Sequence, residues 1–194
     1  MSRRLWSLCI TLMVVAVGAI GQSVYHPAVS SSKIQIHPPT SSSTKNVFVA
    51  GTNAFVIRAV DGDTVDIELD GDSQEHKIRL LGVNTPESVD PRRPVQCFGK
   101  EASHFTDQSL TGTRVRLEED LLADNVDPYG RWLRNIYLPD GMDFNAELVR
   151  QGYAYAYVSF PMDKQRRAEL KRLQSEAMQA KRGLWNPQTC NGKK

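Results

Sequence analysis

From residue 54 onward, apolar and polar positions alternate in short runs separated by turn residues, the pattern of half-buried strands. Residues 54–60 (Ala-Phe-Val-Ile-Arg-Ala-Val) form a first candidate strand. In residues 64–69, Val65, Ile67 and Leu69 take one face and Asp66 and Glu68 the other, which predicts a second, half-buried strand. Asp70-Gly71 is a hairpin-turn signal, and residues 77–83 return as a third strand. Residues 113–118 and 131–138 supply a fourth and a fifth. Between the third and fourth, residues 101–110 fit a short helix that buries Ala102 and Phe105. Pro139-Asp140-Gly141 then turns the chain into a second short helix over residues 146–151, with Asn145 as its cap and Gly152 as its stop. The strongest helical period spans residues 163–182, where Leu170, Leu173, Ala177 and Ala180 recur at spacings of three or four before Gly183 ends the helix. Five strands followed mostly by helices predict the α+β class: a five-stranded β-barrel with about three packed helices.

The first 46 residues have neither pattern. Arg3 and Arg4 open a cationic start, residues 5–20 are almost continuously apolar, and Ala19-Ile20-Gly21 has the small-x-small form of a cleavage site. Residues 1–21 therefore read as a signal peptide, or as a retained N-terminal membrane anchor, and Cys9 leaves with them if they are cleaved. Residues 22–46, with Ser30-Ser31-Ser32, Pro38-Pro39 and Ser41-Ser42-Ser43-Thr44, bury nothing and read as a flexible linker. The folded domain is expected over residues 47–194. The localisation implied is secreted or periplasmic, with a membrane-anchored protein facing the same side as the alternative. Removal of residues 1–21 leaves Cys97 and Cys190, an even pair in a chain bound for an oxidising compartment, so a disulfide is expected, with two unrelated thiols as the alternative. His26, His37, His76 and His104 form no zinc-type spacing with either cysteine.

Charge narrows the function classes. The chain carries 24 Lys+Arg against 22 Asp+Glu. Without residues 1–21 the two balance, which excludes a uniformly basic nucleic-acid coat and leaves only a local anion-binding surface. Nine acids lie between Asp61 and Asp90 against Lys77 and Arg79, whereas residues 164–182 hold seven bases against Glu169 and Glu176. An acidic segment among otherwise buried strands points to a cation site, and a basic helix reads as a solvated face. Asp61-Gly62-Asp63-Thr64 resembles the start of a calcium loop, but Val65 breaks the EF-hand pattern. Its company matters more: Arg79 inside an apolar strand, Glu87 just after Pro86, and Arg131 opening a later strand. Hard cations take oxygen ligands, a phosphodiester needs donors that grip its oxygens, and water attack needs a carboxylate nearby.

Five ordered segments carry a family resemblance. They are Asp61-Gly62-Asp63-Thr64-Val65, residues 78–87 (Ile-Arg-Leu-Leu-Gly-Val-Asn-Thr-Pro-Glu), residues 98–103 (Phe-Gly-Lys-Glu-Ala-Ser), Asp127-Pro128-Tyr129-Gly130-Arg131 and residues 145–152 (Asn-Ala-Glu-Leu-Val-Arg-Gln-Gly). Their order and spacing resemble the staphylococcal nuclease (thermonuclease) family over about residues 52–186. The resemblance implies an OB-fold barrel with three helices. It also implies a calcium-dependent nuclease that cleaves DNA and RNA to 5′-hydroxyl and 3′-phosphate ends, working as a monomer on substrate that is preferably single-stranded. Matched position by position, Arg79, Glu87 and Arg131 take the catalytic places, and Asp63 and Thr85 take calcium-coordinating places. Arg92 and Arg93 match a basic pair on a substrate-binding loop, and Tyr129 and Tyr157 match nucleotide-contacting tyrosines. Two positions depart from the family. Asn84 replaces a usual Asp, so a charged calcium ligand becomes an amide oxygen and affinity should weaken. Pro128 stands where a Lys near the nucleotide phosphate is expected. The alternatives to the enzyme are an OB-fold module that holds single-stranded nucleic acid without cutting it, and a membrane-tethered calcium-binding scaffold.

Overall fold

The computed structural model describes residues 51–193. The signal or anchor expected over residues 1–21 and the linker expected over residues 22–46 lie outside the described residues. Strands β1 (Ala54–Asp61), β2 (Thr64–Leu69) and β3 (Glu75–Leu80) form an antiparallel meander. After a two-residue strand β4 (Val83–Asn84) and helix α1 (Gly99–Leu110) come β5 (Arg114–Glu118) and β6 (Trp132–Tyr137). Helix α2 (Phe144–Arg150), the short strand β7 (Tyr155–Ala156) and helix α3 (Lys164–Gln179) complete the chain, followed by a single 3₁₀ turn at Gly183–Trp185. The sheet closes in the order β1-β2-β3-β6-β5, with β5 returning to β1, β3 and β6 parallel and the other neighbours antiparallel. This is the predicted α+β architecture: a five-stranded OB-type barrel with three helices.

Alternation along the strands fills the barrel. Ala54 and Val56 from β1, Val65 and Ile67 from β2, Ile78 and Leu80 from β3, Val115 from β5 and Ile136 from β6 all point inward and are buried. Phe144 of α2 is fully buried, and Phe105 of α1 stacks on it and on Tyr153. Leu170, Leu173 and Ala177 face inward from α3, and Leu184 follows in the 3₁₀ turn.

Four local expectations are corrected. The third strand does not run through residue 83. Gly82 at φ +77° turns the chain there, and residues beyond the turn pair with β7 instead, Val83 with Ala156 and Asn84 with Tyr155. Asp66 is not solvated: it is 1% exposed, covered by Arg58 and by Lys77, whose Nζ lies 2.6 Å from Asp66 Oδ1. Two cations from the flanking strands pair with it, which offsets part of the cost of burying a carboxylate. Asn145 does not cap α2. Asp143 does, accepting from Ala146 N, while Asn145 lies fully buried inside the first turn. Finally, α3 stops at Gln179 because Lys181 takes the left-handed conformation, φ +52°. Gly183 has a different use: a Cβ there would collide with the carbonyl of Gly152, where the end of α2 meets the exit of α3.

Asn145 instead cross-links three segments. Its Oδ1 accepts from Ile136 N at 3.1 Å, and its Nδ2 donates to Leu81 O at 2.9 Å and Arg134 O at 3.1 Å. Removing such a side chain leaves buried backbone groups unpaired. Asn145→Ala is expected to lower unfolding free energy by on the order of 3 kcal/mol in a denaturant titration, with near-native circular dichroism before the transition.

Candidate active site

The turn between β1 and β2 carries Asp61, Gly62 and Asp63 at the barrel rim. An irregularity in the β1–β2 register immediately precedes it and bends the strand as a bulge does. Asp61 Oδ1 accepts from Gly62 N at 2.8 Å and Ser88 Oγ at 2.6 Å, and Gly62 O accepts from Thr106 Oγ1 of α1 at 2.6 Å. Asp63 is 6% exposed. Its Oδ2 accepts from Thr85 N at 2.9 Å and faces Arg79 Nη2 at 3.0 Å. Gly62 permits this packing, since a Cβ there would stand 2.8 Å from Thr85 Oγ1.

Three charged side chains converge beside that turn. Arg79 projects from β3, its Nη1 donating to Leu80 O at 2.7 Å and Val83 O at 2.8 Å, with Asn84 Oδ1 more distant at 3.5 Å from Nη2. Burial lowers the Arg79 guanidinium below its ordinary value, and the facing Asp63 carboxylate opposes that effect. Arg131 opens the run into β6. Its Nε and Nη2 grip Asp127 Oδ2 at 2.7 and 2.6 Å, and its Nη1 donates to Thr64 Oγ1 at 3.3 Å. Burial raises the Asp127 carboxyl, but the Arg131 backbone N–H and guanidinium outweigh burial and hold it below the usual range. Glu87 follows β4. Its Oε1 accepts from Val89 N at 2.9 Å and Asp90 N at 3.0 Å. Burial pushes the Glu87 carboxyl up, whereas these N–H groups and a hydrogen bond with Asp61 hold it below the glutamate range, as a carboxylate.

Asp61, Asp63, Arg79, Glu87 and Arg131 line one cleft of about 660 Å³. The structure brings nine of the ten sequence-predicted chemical residues to it: Asp63, Arg79, Asn84, Thr85, Glu87, Arg92, Arg93, Tyr129 and Arg131. Arg92 forms a two-point ion pair with Asp90, through Nε at 2.9 Å and Nη2 at 3.0 Å. Tyr129 is 84% exposed, with the Arg131 guanidinium 5.4 Å from its ring centre. Tyr157 is not among the lining residues. It is half exposed, its ring lies 5.4 Å from Phe160, and its N–H donates to Gly82 O at 2.8 Å. Cys97 and Cys190 are bonded, with Cα atoms 5.7 Å apart.

The donor set beside the turn consists of oxygen alone: the Asp61 and Asp63 carboxylates, the Asn84 amide and Thr85. Thr85 Oγ1 is buried without a hydrogen-bond partner. Such a set fits a hard divalent cation and not a soft one. Among the described residues no three His, Cys, Asp or Glu side chains gather into a metal centre, so a cation here would take the rest of its shell from water or substrate. Asp61, at the same turn, is 8% exposed. Burial raises its carboxyl to about 6, against the hydrogen bonds from Ser88 and Gly62, and nearby Asp63 and Glu87 add to the rise.

The sequence reading noted Asp61 only as part of the Asp-Gly-Asp turn and did not give roles to Asp90, Gln96 or Asp127. Asp127 stands four residues before its partner Arg131, a spacing that could have pointed to the pair. Asp90 and Gln96 carry no pattern of their own, because their partners are backbone groups and loop side chains.

Comparison with known proteins finds relatives of this chain. The family model described as staphylococcal nuclease homologue matches residues 77–187. A thermonuclease of Staphylococcus intermedius is 44% identical over 137 residues, 71% of this chain and 78% of that protein. One from Staphylococcus hyicus is 41% identical over 131 residues, 68% of this chain and 74% of that protein. A protein of Escherichia coli O157:H7 described as an uncharacterized endonuclease is 33% identical over 141 residues, 72% of this chain and 81% of its own. With its closed five-stranded barrel, its cleft and these similarities, the chain belongs to the staphylococcal nuclease family.

Proposed function

We propose that this protein is an exported, calcium-dependent nuclease that hydrolyses phosphodiester bonds of DNA and RNA, leaving 5′-hydroxyl and 3′-phosphate ends. The observation that carries the reading is the single cleft in which a carboxylate base, two guanidinium groups and an all-oxygen donor set stand together. Export is supported by the pattern of residues 1–21 and by the disulfide, which suits an oxidising compartment.

Asp63, Asn84 and Thr85, with Asp61 beside them, would hold calcium, which supplies Lewis-acid polarisation of a phosphate oxygen when bound. The Val89 and Asp90 N–H groups hold Glu87 through Oε1, and the carboxylate so fixed would accept the proton of an attacking water. Water oxygen bonds to phosphorus as the bond to the 5′ oxygen breaks, and that oxygen takes a proton from solvent. Arg79 and Arg131 place positive charge where the phosphoryl oxygens become more negative, and their low exposure strengthens the effect. Asp63 and Asp127 hold these guanidinium groups in place, so little reorganisation is needed during reaction. Arg92 and Arg93 would grip flanking phosphates. The exposed Tyr129 ring would stack an unpaired base, which favours single-stranded substrate for a monomeric enzyme.

The purified full chain is expected to digest DNA and RNA with calcium and to be inactive in chelator. Activity undiminished by chelator would remove the cation from the reading. Glu87→Gln and Arg131→Ala should each lower kcat by about 10²- to 10⁴-fold with the fold retained by circular dichroism. Measurable binding of labelled single-stranded DNA combined with normal turnover in both variants would instead exclude them from the chemistry. Asn84→Asp should lower the calcium concentration for half-maximal rate, since it adds a charged ligand. Asp61 supplies a pH test: in chelator its carboxyl carbon should titrate near pH 6 by NMR. Protons and cation then compete for it, so calcium should move that midpoint down, and apparent calcium affinity should rise from about pH 5 to about pH 7.

A further inference from the structure

The chain segment that follows the substrate loop grips Glu87 from outside the cleft. Gln96 makes two hydrogen bonds to the Glu87 backbone: Glu87 N donates to Gln96 Oε1 at 2.8 Å, and Gln96 N donates to Glu87 O at 2.8 Å. Gly99 N in turn donates to Gln96 O at 3.0 Å, and a Cβ on Gly99 would stand 2.6 Å from Glu87 O. The two segments are therefore in backbone contact, closing off the loop that carries Asp90, Arg92 and Arg93.

That grip sits on a strained piece of chain. Phe98, at the N-cap of α1, has φ +67° and no side-chain cap hydrogen bond. A bulky residue adopts this conformation only where its surroundings impose it. Two contacts impose it here. The Phe98 ring stacks on Tyr153 at 5.5 Å between centres, and Cys97 is bonded to Cys190, 93 residues further on. Cys190 is buried, and its tail is itself tied down, with Gly192 N donating to Leu184 O at 2.8 Å. Cys97 is exposed, so a small reductant can reach the bond.

We propose that Gln96 is a positioning residue for Glu87, and that the Cys97–Cys190 disulfide holds Gln96 in that place, so that turnover depends on the bond. The effect on turnover rests on the nuclease reading above, whereas the effect on Glu87 position does not. Reduction by a dithiol breaks the S–S bond, passes two electrons and two protons to the two sulfurs, and leaves the reductant as a disulfide. Phe98 is then free to relax toward negative φ, and Gln96 loses its fixed distance to Glu87. The protein would thus reach full activity only where the bond can form.

The test compares the oxidised full chain, the same chain in dithiothreitol, and the variants Gln96→Met and Gln96→Glu, all below the melting transition measured by circular dichroism. Amide hydrogen exchange at Glu87 N–H, read by NMR, should speed up by about tenfold or more in Gln96→Met and in the reduced chain. Turnover of single-stranded DNA with calcium should fall by about ten- to a hundredfold in kcat, with a smaller change in KM. Gln96→Glu keeps an acceptor for Glu87 N–H and should restore slow exchange. Reducing Gln96→Met should cost little beyond the larger single effect, because both changes release one grip. Unchanged Glu87 exchange and kcat in reduced, folded protein would overturn the proposal, as would fully additive losses. Gln96→Met, with the disulfide intact, tests the positioning half even if the reduced chain unfolds. Glu87 exchange that responds as expected in a chain that cuts nothing would support the positioning and sink the nuclease reading.

Discussion

The candidate site is organised around a buried carboxylate, Asp63, whose Oδ2 accepts from Thr85 N and faces the Arg79 guanidinium. A carboxylate removed from water is costly unless donors and an opposite charge meet it. Asp63 meets that demand with groups from three separate segments: its own turn, strand β3 and the residues just after β4. Its backbone O also accepts from Leu80 N at 2.9 Å. Because the donors must come to the carboxylate, the turn, Arg79 and Thr85 are held in one arrangement, and Glu87 follows two residues later on the same strand exit.

The barrel sets where that arrangement can form. Parallel pairing of β6 with β3 brings Arg131, just before β6, to the rim where Arg79 leaves β3. Asp127 then orients Arg131 in the manner in which Asp63 orients Arg79, and each acid lowers the freedom of a long side chain before any substrate arrives. Arg79, Arg92, Arg93, Arg131 and Lys77 line the cleft with Asp61, Asp63, Glu87 and Asp90, so opposite charges nearly balance there, as they do over the whole chain. The basic residues of α3 are not among those that line the cleft.

Glu87 is held more lightly than the two arginines. It sits on no long strand, and its position comes from backbone bonds to Gln96 behind it and from the Val89 and Asp90 N–H groups in front. The support behind it passes directly into Cys97 and the left-handed Phe98. A covalent link to a residue far away in sequence therefore stands next to the segment that supports Glu87. The turn that carries Asp63 is held by side-chain and backbone bonds from several segments, whereas the place of Glu87 depends on the loop around it.

Much of this was determined by the sequence alone. The period-two alternation in residues 64–69 and 113–118 can bury an apolar face only in a sheet, and Leu170, Leu173 and Ala177 share a face only on a helix. The ordered motifs marked Asp63, Arg79, Glu87 and Arg131, because few other chemistries need those side chains together. The tertiary structure decided what depends on neighbours distant in sequence. Asp66 alternates as a surface residue should, yet Arg58 and Lys77 from flanking strands cover it. Asn145 looks like a cap, yet buried carbonyl and N–H groups of Leu81, Arg134 and Ile136 outcompete that role. Tyr157 fits the motif order, yet the structure leaves it beside Phe160 and outside the cleft lining. Gln96 had no signal at all, since its partner is the backbone of Glu87, and backbone groups have the same identity at every position. Local pattern reports which face a residue prefers; only the closed barrel determines which groups it meets there.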